Sequence, residues 1–306
     1  MQGPKKCAFS VDVEDWFHIL DVAEAPDITS WPRLPSRVEG NFRRLLDLFS
    51  EEGSQVTCFF LGWIAERFPH LVREAVACGH EIASHGYSHQ LVYKMTQTQF
   101  RADALRARLL LEDISGTRVI GYRAPGFSST AVTPWFFDEV YSSGYLYDSS
   151  VFPARRGHGG SPDSPTRPHF VVVGRLVEFP VSVAEIGPLR ICFFGGGYLR
   201  LFHYSIIRRM GKRQIANGAP LSFYIHPREI DINHPRIPMS LRRRFKSYIN
   251  LRPTEMKIRQ ILREFAVTTC SDYLFGSESE LAGKEVVSCK IPASAEAANS
   301  ASPRAS

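Results

Sequence analysis

"CAFSVDVED", residues 7–15, decides how the rest of the chain is read. Cys7, Phe9, Val11 and Val13 alternate with smaller or polar residues as they would along a β-strand, and the run ends in Asp12, Glu14 and Asp15. Carboxylates at the carboxyl end of a buried strand are where α/β folds build active sites. Side chains alternate along a strand, so residues 12 and 14 share one face and residues 13 and 15 the other.

Outward from this strand, "SRVEGNFRRLLDLFSEEG" (36–53) predicts an amphipathic helix, with Ser36 as candidate cap, Val38, Phe42, Leu45, Leu46 and Phe49 at helical spacing, and Gly53 as the stop. "VTCFFLG" (56–62) predicts a second strand and residues 64–79 a second helix stopped by Gly79. "HEIASHGYSH" then starts as a strand and opens into a loop. This β-α-β-α-β order within eighty residues is that of a parallel sheet covered by helices. It continues with a helix over 96–116, a strand over 119–125, a helix over 134–144, an extended run over 145–153 and a strand over 176–183. Residues 154–169 are rich in Gly, Pro and Ser and predict a long loop at the rim of a binding face. A triple-glycine turn opens the helical stretch 193–213, "LSFYIHPREID" (221–231) is a late apolar strand, and 254–265 is a last helix. From about Ser277 the chain turns Ser/Ala/Glu-rich and reads as a disordered tail.

The bulk composition excludes several classes. Hydrophobic residues make up 44% and charged residues 22%, as in ordinary globular proteins and unlike collagenous or disordered chains. No apolar run reaches the eighteen residues of a membrane span, and the acids at 12, 14 and 15 interrupt any signal-peptide pattern, so a cytoplasmic location is expected. The net charge of +6 concentrates in clusters at 208–213 and in "LRRRFK" (241–246). No nucleic-acid motif accompanies them, so they predict a solvated face or peripheral contact with an anionic membrane surface. The six cysteines are widely spaced, which predicts reduced, mostly buried thiols rather than a disulfide scaffold or zinc ribbon.

"ASHGYSH" (83–89) sets His85 and His89 four apart. Ten histidines in 306 residues supply roughly 0.3 such pairs by chance, so the spacing alone carries little. Four further polar motifs, however, stand at predicted strand ends: "SVDVED" (10–15), "GYRAPG" (121–126), "YDSSVFP" (147–153) and "FYIHP" (223–227). Two imidazoles and a carboxylate suit a borderline divalent cation with open positions. A second carboxylate beside an arginine can serve as a base, and a further histidine as an acid.

In this order the motifs resemble the polysaccharide deacetylases, carbohydrate esterase family 4, from residue 8 to about 230. The nearest likeness is to those of exosortase/PEP-CTERM exopolysaccharide systems, and residues 245–265 resemble their C-terminal extension. The resemblance implies a deformed (β/α) barrel, an α/β fold, over 1–235, a helical extension packed on it over 236–276, and the tail at 277–306. It implies Asp12 as catalytic base, Arg123 as the arginine that orients it and His226 as general acid. His85 and His89 match the metal-binding histidines, and Asp148, with Trp16 and Pro125, falls to the substrate groove. The implied metal is Zn²⁺, with Co²⁺, Ni²⁺ or Mn²⁺ as alternatives, and the implied reaction is removal of N-acetyl or O-acetyl groups from an amino-sugar polysaccharide or its lipid-linked precursor, alongside exopolysaccharide assembly proteins.

Two departures stand out. The family's paired aspartates are here spread as Asp12, Val13, Glu14, Asp15, so the third metal ligand is Glu14 by strand parity, or Asp15 if the strand ends at Val13. Arg228 stands two residues after His226, where relatives carry tryptophan. The competing expectations are a metal-independent C–N hydrolase of a small amide on the same fold and an inactive glycan-binding module.

Overall fold

The protein is described here by a computed structural model covering residues 7–276 apart from 157, 158 and 173. His158, Cys289 and the tail expected from residue 277 lie outside the described residues. The strands are β1 (Cys7–Val13), β2 (Thr57–Phe60), β3 (Glu81–Ser84), β4 (Gly121–Tyr122), β5 (Tyr147–Asp148), β6 (His169–Val172), β7 (Leu176–Glu178), β8 (Ala184–Ile186), β9 (Leu189–Ile191), β10 (Ser222–Ile225) and β11 (Val267–Thr268). The helices are α1 (Val38–Glu51), α2 (Gly62–Arg67), α3 (Pro69–Ala77), α4 (Gln97–Ser115), α5 (Phe136–Ser142), α6 (Gly196–Leu201), α7 (Tyr204–Ala216), α8 (Leu241–Tyr248), α9 (Thr254–Glu264) and α10 (Cys270–Phe275).

The main sheet runs β10-β1-β2-β3-β4-β5-β7 in parallel, and β6 joins its outer edge antiparallel to β7. Between β7 and β10 no ladder forms among the described residues. Ser222 N donates to Ser182 Oγ at 2.8 Å and Ser182 N to Ser222 Oγ at 3.2 Å, so two hydroxyls bridge the gap. The result is a curled, incompletely closed (β/α) barrel, the fold class that the motif order implies. β1 is buried along its whole length because it lies between β10 and β2, and β11 takes the part of its edge that β2 leaves at Cys7 and Ala8. A strand covered on both faces can be apolar throughout.

α1 buries Val38, Phe42, Leu45, Leu46 and Phe49 as the spacing predicts, but Ser36 does not cap it. Asp15 does: its carboxylate accepts from Arg37 N at 2.9 Å and Val38 N at 3.3 Å, and Ser36 merely donates its hydroxyl to the same group at 2.6 Å. The helix expected over 64–79 is two helices. Pro69 forces Phe68 out of the helical region, to φ −130°, and α3 begins at the proline. α4 stops at Gly116, φ +65°, as read, and a Thr96–Gln99 capping box opens it. The run 145–153 contributes only two residues of strand, because the chain turns inward at Ser149 and Ser150 to bond the end of β4. Of the cysteines described, Cys7, Cys58, Cys192 and Cys270 are buried and Cys78 is exposed, and all are free thiols.

His80, at the start of β3's approach, packs edge-on against Phe49 and accepts a hydrogen bond from Val56 N on Nδ1. Burial pushes its pKa down to about 4, so the folded protein holds it neutral. The unfolded chain takes up a proton there below about pH 6.5, hence His80 lowers stability as pH falls from about 6.5 to about 4, by at most about 3 kcal/mol. His80→Asn keeps an acceptor for Val56 and does not titrate. Urea unfolding at pH 7 and pH 4.5 is expected to show a smaller acid loss in this variant than in the wild type.

Candidate active site

The carboxyl ends of the parallel strands converge on one cavity of about 480 Å³. β1 supplies Asp12 and, one residue past its end, Glu14; the loop after β3 supplies His85 and His89; β4 leads into Arg123; β10 leads into His226. Glu14, His85 and His89 are buried and offer ligand atoms that all lie within 4.8 Å of one another. Glu14 Oε2 sits 2.5 Å from His89 Nε2, and neither atom has a hydrogen-bond partner. His85 Nδ1 donates to the Arg123 carbonyl at 2.8 Å, which leaves Nε2 as the free lone pair turned to the cluster. Burial pushes the His85 pKa down to about 4, so its ring is neutral, the form that binds metals. Burial raises the Glu14 carboxyl, but the imidazoles of His89 and His226 outweigh it and hold the group below the usual carboxylate range. His89 adopts φ +53°, a conformation seldom taken by side-chain-bearing residues, and this strain is confined to the loop that brings its ring to Glu14. A carboxylate oxygen and an imidazole nitrogen buried without hydrogen bonds, together with the His85 ring in the same cluster, fit a borderline divalent ion.

Asp12 lies beside this cluster. Arg123 Nη1 donates to its Oδ1 at 2.6 Å and to Ser10 Oγ at 2.8 Å, and the rest of the guanidinium is held by Ser149 through its carbonyl and its hydroxyl. The other Asp12 oxygen faces His226, whose Nε2 is 3.7 Å from Asp12 Oδ2 and 3.8 Å from Glu14 Oε1. Glu229 accepts from the far nitrogen, Nδ1, at 3.3 Å. Burial lowers the His226 pKa, yet Glu14, Glu229 and Asp12 together raise it above the ordinary histidine value.

Four groups placed at the site by the sequence reading lie elsewhere. Asp15 is turned off the cluster, because parity sends it to the opposite face, where the α1 amides claim both its oxygens. Trp16 is buried against Phe17 with its indole N–H on the Pro35 carbonyl, outside the cavity lining. Pro125 is also buried beneath the wall, which Gly126 and Phe127 form instead. Asp148 is wholly interior: burial raises its carboxyl and that of Glu178, its cross-strand partner on β7. It accepts from Ser150 Oγ at 2.6 Å, and Ser150 in turn accepts from Ala124 N, so Asp148 props the residue that follows Arg123.

The structure adds groups that the motifs did not single out for the site. Glu229 and Arg200 stand behind His226, 3.5 Å apart. His18 lines the cavity beside His89, accepting from Asp15 N on Nδ1, so its buried and unpartnered Nε2 carries the proton. A Cβ at Gly195 would overlap the Tyr224 ring, so the triple glycine lets that ring into the wall. His18 closes the stretch that begins "SVDVED" and Glu229 lies within "LSFYIHPREID", so both carried a sequence signal, and Arg200 carried none.

Residues 31–136 match the family model for polysaccharide deacetylase. Over that third of its length the chain is similar to the polysaccharide deacetylases. Residues 149–275, which include Arg200, His226 and Glu229, match a domain of unknown function, DUF3473. The peptidoglycan deacetylase of Helicobacter pylori is 29% identical over 147 residues, 47% of this chain and 48% of its own length. The peptidoglycan-N-acetylglucosamine deacetylase of Bacillus cereus is 30% identical over 73 residues, 24% of this chain and 26% of its own. The chain spans about half the length of the first relative and about a quarter of the second. A polysaccharide-deacetylase-like protein of Pseudomonas aeruginosa shares the fold at TM-score 0.58 and 18% identity, with 88% of this chain and 89% of that one covered. Another from Mycobacterium smegmatis does so at 0.55 and 22%, covering 87% and 88%, and an allantoinase at 0.57 and 18%, covering 88% of each.

The contrasting surroundings of the two acids make separable expectations. Glu14→Gln is expected to lose stoichiometric zinc, measured by elemental analysis after dialysis, with the fold retained. Asp15→Ala is expected to retain zinc and to unfold about 1–3 kcal/mol more easily, because buried amides at the start of α1 lose their acceptor. Zinc lost from Asp15→Ala and kept by Glu14→Gln would reverse the ligand assignment.

Proposed function

We propose that the protein is a divalent-metal-dependent deacetylase that hydrolyses N-acetyl groups on an amino-sugar polysaccharide or its precursor, in exopolysaccharide synthesis. The observation that carries this reading is that the Glu14, His85 and His89 cluster lies beside both a carboxylate held by arginine and a carboxylate-backed imidazole. A divalent cation held by those three residues, with Zn²⁺ as the first choice, would polarise the acetyl carbonyl and ease deprotonation of water.

The chain's own groups account for the proton traffic. Arg123 occupies one oxygen of Asp12, which leaves Oδ2 to take the proton from the attacking water. His226 meets the same centre next to Asp12, and Glu229 on Nδ1 fixes its ring so that Nε2 is turned toward Asp12 and Glu14. The Nε2 proton passes to the departing nitrogen as the C–N bond breaks, so water's hydroxyl ends on acetate and the amine leaves neutral. The Nε2–H of His18 is a buried donor available to a substrate oxygen.

The likeness to an allantoinase keeps a metal-independent hydrolase of a small amide as the alternative, and the unsatisfied His–Glu cluster weighs against it. No helix among the described residues is long and apolar enough to cross a membrane. Leu241 and Phe245 are exposed between arginines on α8, which supports peripheral contact with an anionic membrane face. Co-sedimentation with anionic vesicles, unchanged by Phe245→Ser, would count against that contact.

Acetate release from an acetylated glucosamine oligomer by the zinc-loaded protein is the decisive assay. Asp12→Asn is expected to lower the rate about 10²- to 10⁴-fold while zinc stays bound, and chelator to abolish it in the wild type. Turnover of a small cyclic amide that survives chelator would favour the metal-independent reading.

A further inference from the structure

Beyond the reacting centre, the wall of the cavity is basic. Arg155, Arg156, Arg228, Arg243 and Lys246 line it. The acids of the lining are largely matched elsewhere: Asp12 faces Arg123, Glu229 faces Arg200 and His226, and Glu14 belongs to the His cluster. Asp21 is the remaining acid of the lining. A bound divalent cation would add to the positive excess.

Two of these arginines have spare donors. Arg228 stands two residues beyond His226, its Nε is 3.9 Å from Glu14 Oε1, and that nitrogen is buried without a hydrogen bond. Arg243, on α8, donates Nη2 to the Leu20 carbonyl at 2.6 Å, and its Nε is likewise buried and unpartnered. Burial and the like charges of Arg228 and Arg156 lower the Arg243 pKa, against the opposing pull of Asp21. Gathering guanidiniums in a half-buried wall costs electrostatic energy unless an anion arrives to meet them.

We propose that the cavity takes an acetylated sugar bearing an anionic group, a carboxylate or a phosphate, next to the acetylated residue, and that Arg228 and Arg243 receive that anion. This deepens the deacetylase reading and rests on it for the acetyl group. Arg228 lies 3.9 Å from Glu14, so the anion would sit next to the reacting centre. Guanidinium is suited to the task because its planar fork matches both carboxylate and phosphate oxygens. A neutral homopolymer of acetylated glucosamine would bring no charge to meet these guanidiniums.

Calorimetry with the zinc-loaded full chain tests this, using three probes: a neutral acetylated glucosamine tetramer, a matched tetramer alternating with glucuronic acid, and acetylglucosamine 1-phosphate. At least one charged probe is expected to bind about tenfold or more tighter, per matched neutral sugar, and the preference to shrink with added salt. Preference for the glucuronate or for the phosphate identifies the anion. Arg228→Gln and Arg243→Gln are each expected to cut the charged-to-neutral affinity ratio about tenfold, with partial recovery in Arg243→Lys. Arg209→Gln, exposed on α7 away from the cavity, removes the same charge and is expected to leave the ratio unchanged. Equal binding of charged and neutral probes, or a ratio that Arg209→Gln shifts as much as Arg243→Gln, overturns the proposal. Acetate measured in the same samples reports separately on the deacetylase reading: charged preference without acetate keeps the anion site and removes the reaction, and acetate without charged preference does the reverse.

Discussion

Arg123 is the group around which the site is arranged. Its guanidinium is buried, 2.6 Å from Asp12, 4.0 Å from the face of Phe59, and tied to Ser10 and Ser149. One side chain on the exit of β4 therefore spans β1, β2 and β5. Burying an ion pair is costly, and such a pair persists where its remaining donors are satisfied. Removing either partner would strand a charge in the interior, a loss of about 3–5 kcal/mol in comparable cases. The ends of β1, β2, β4 and β5 are thereby held in the register that lets Asp12 approach the His cluster.

The second half of the chain closes the opposite side by a different device. Lys257 on α9 donates its three protons to the carbonyls of Leu199, Arg200 and Phe202, the exposed end of α6. Arg200, so placed, bonds the carbonyls of Lys246, Ser247 and Ile249 at the end of α8 and faces Glu229. Cations at helix carboxyl ends offset unpaired carbonyls. The consequence for function is that His226 is braced through Glu229 by a segment lying in the DUF3473 region, while the metal cluster comes from the first ninety residues. The basic wall of the cavity belongs largely to that later region as well.

Legibility in the sequence followed the range of the interactions involved. β1, the α1 face, α4 with its caps, and the alternation of strands and helices were readable because they rest on period, propensity and chain-local hydrogen bonds. The parity of residues 12 and 14 likewise put Glu14 and Asp12 on one face. The split at Pro69 was also local and could have been read from the restriction a proline places on its predecessor. Ser36 as the α1 cap failed for the opposite reason: the acceptor that displaced it is Asp15, twenty-one residues earlier in the chain.

By itself, then, the sequence determined the α/β class, the strand that ends in acids, and the residue types for a metal-assisted hydrolysis, since each is carried by neighbours in the chain. Only the tertiary structure decided which of those residues meet. Asp148, Trp16 and Pro125 carry the polarity or shape of groove residues, yet packing buries them beneath the wall, and Asp148 pairs with Glu178 thirty residues away. Arg200 reaches the cavity from a segment with no motif, and the parts that Glu229 and Arg243 play depend on how α6, α8 and the turn after β10 come together in space. Side-chain chemistry is written residue by residue, whereas burial and charge balance are properties of the assembled fold, and it is these that decide what a residue can do.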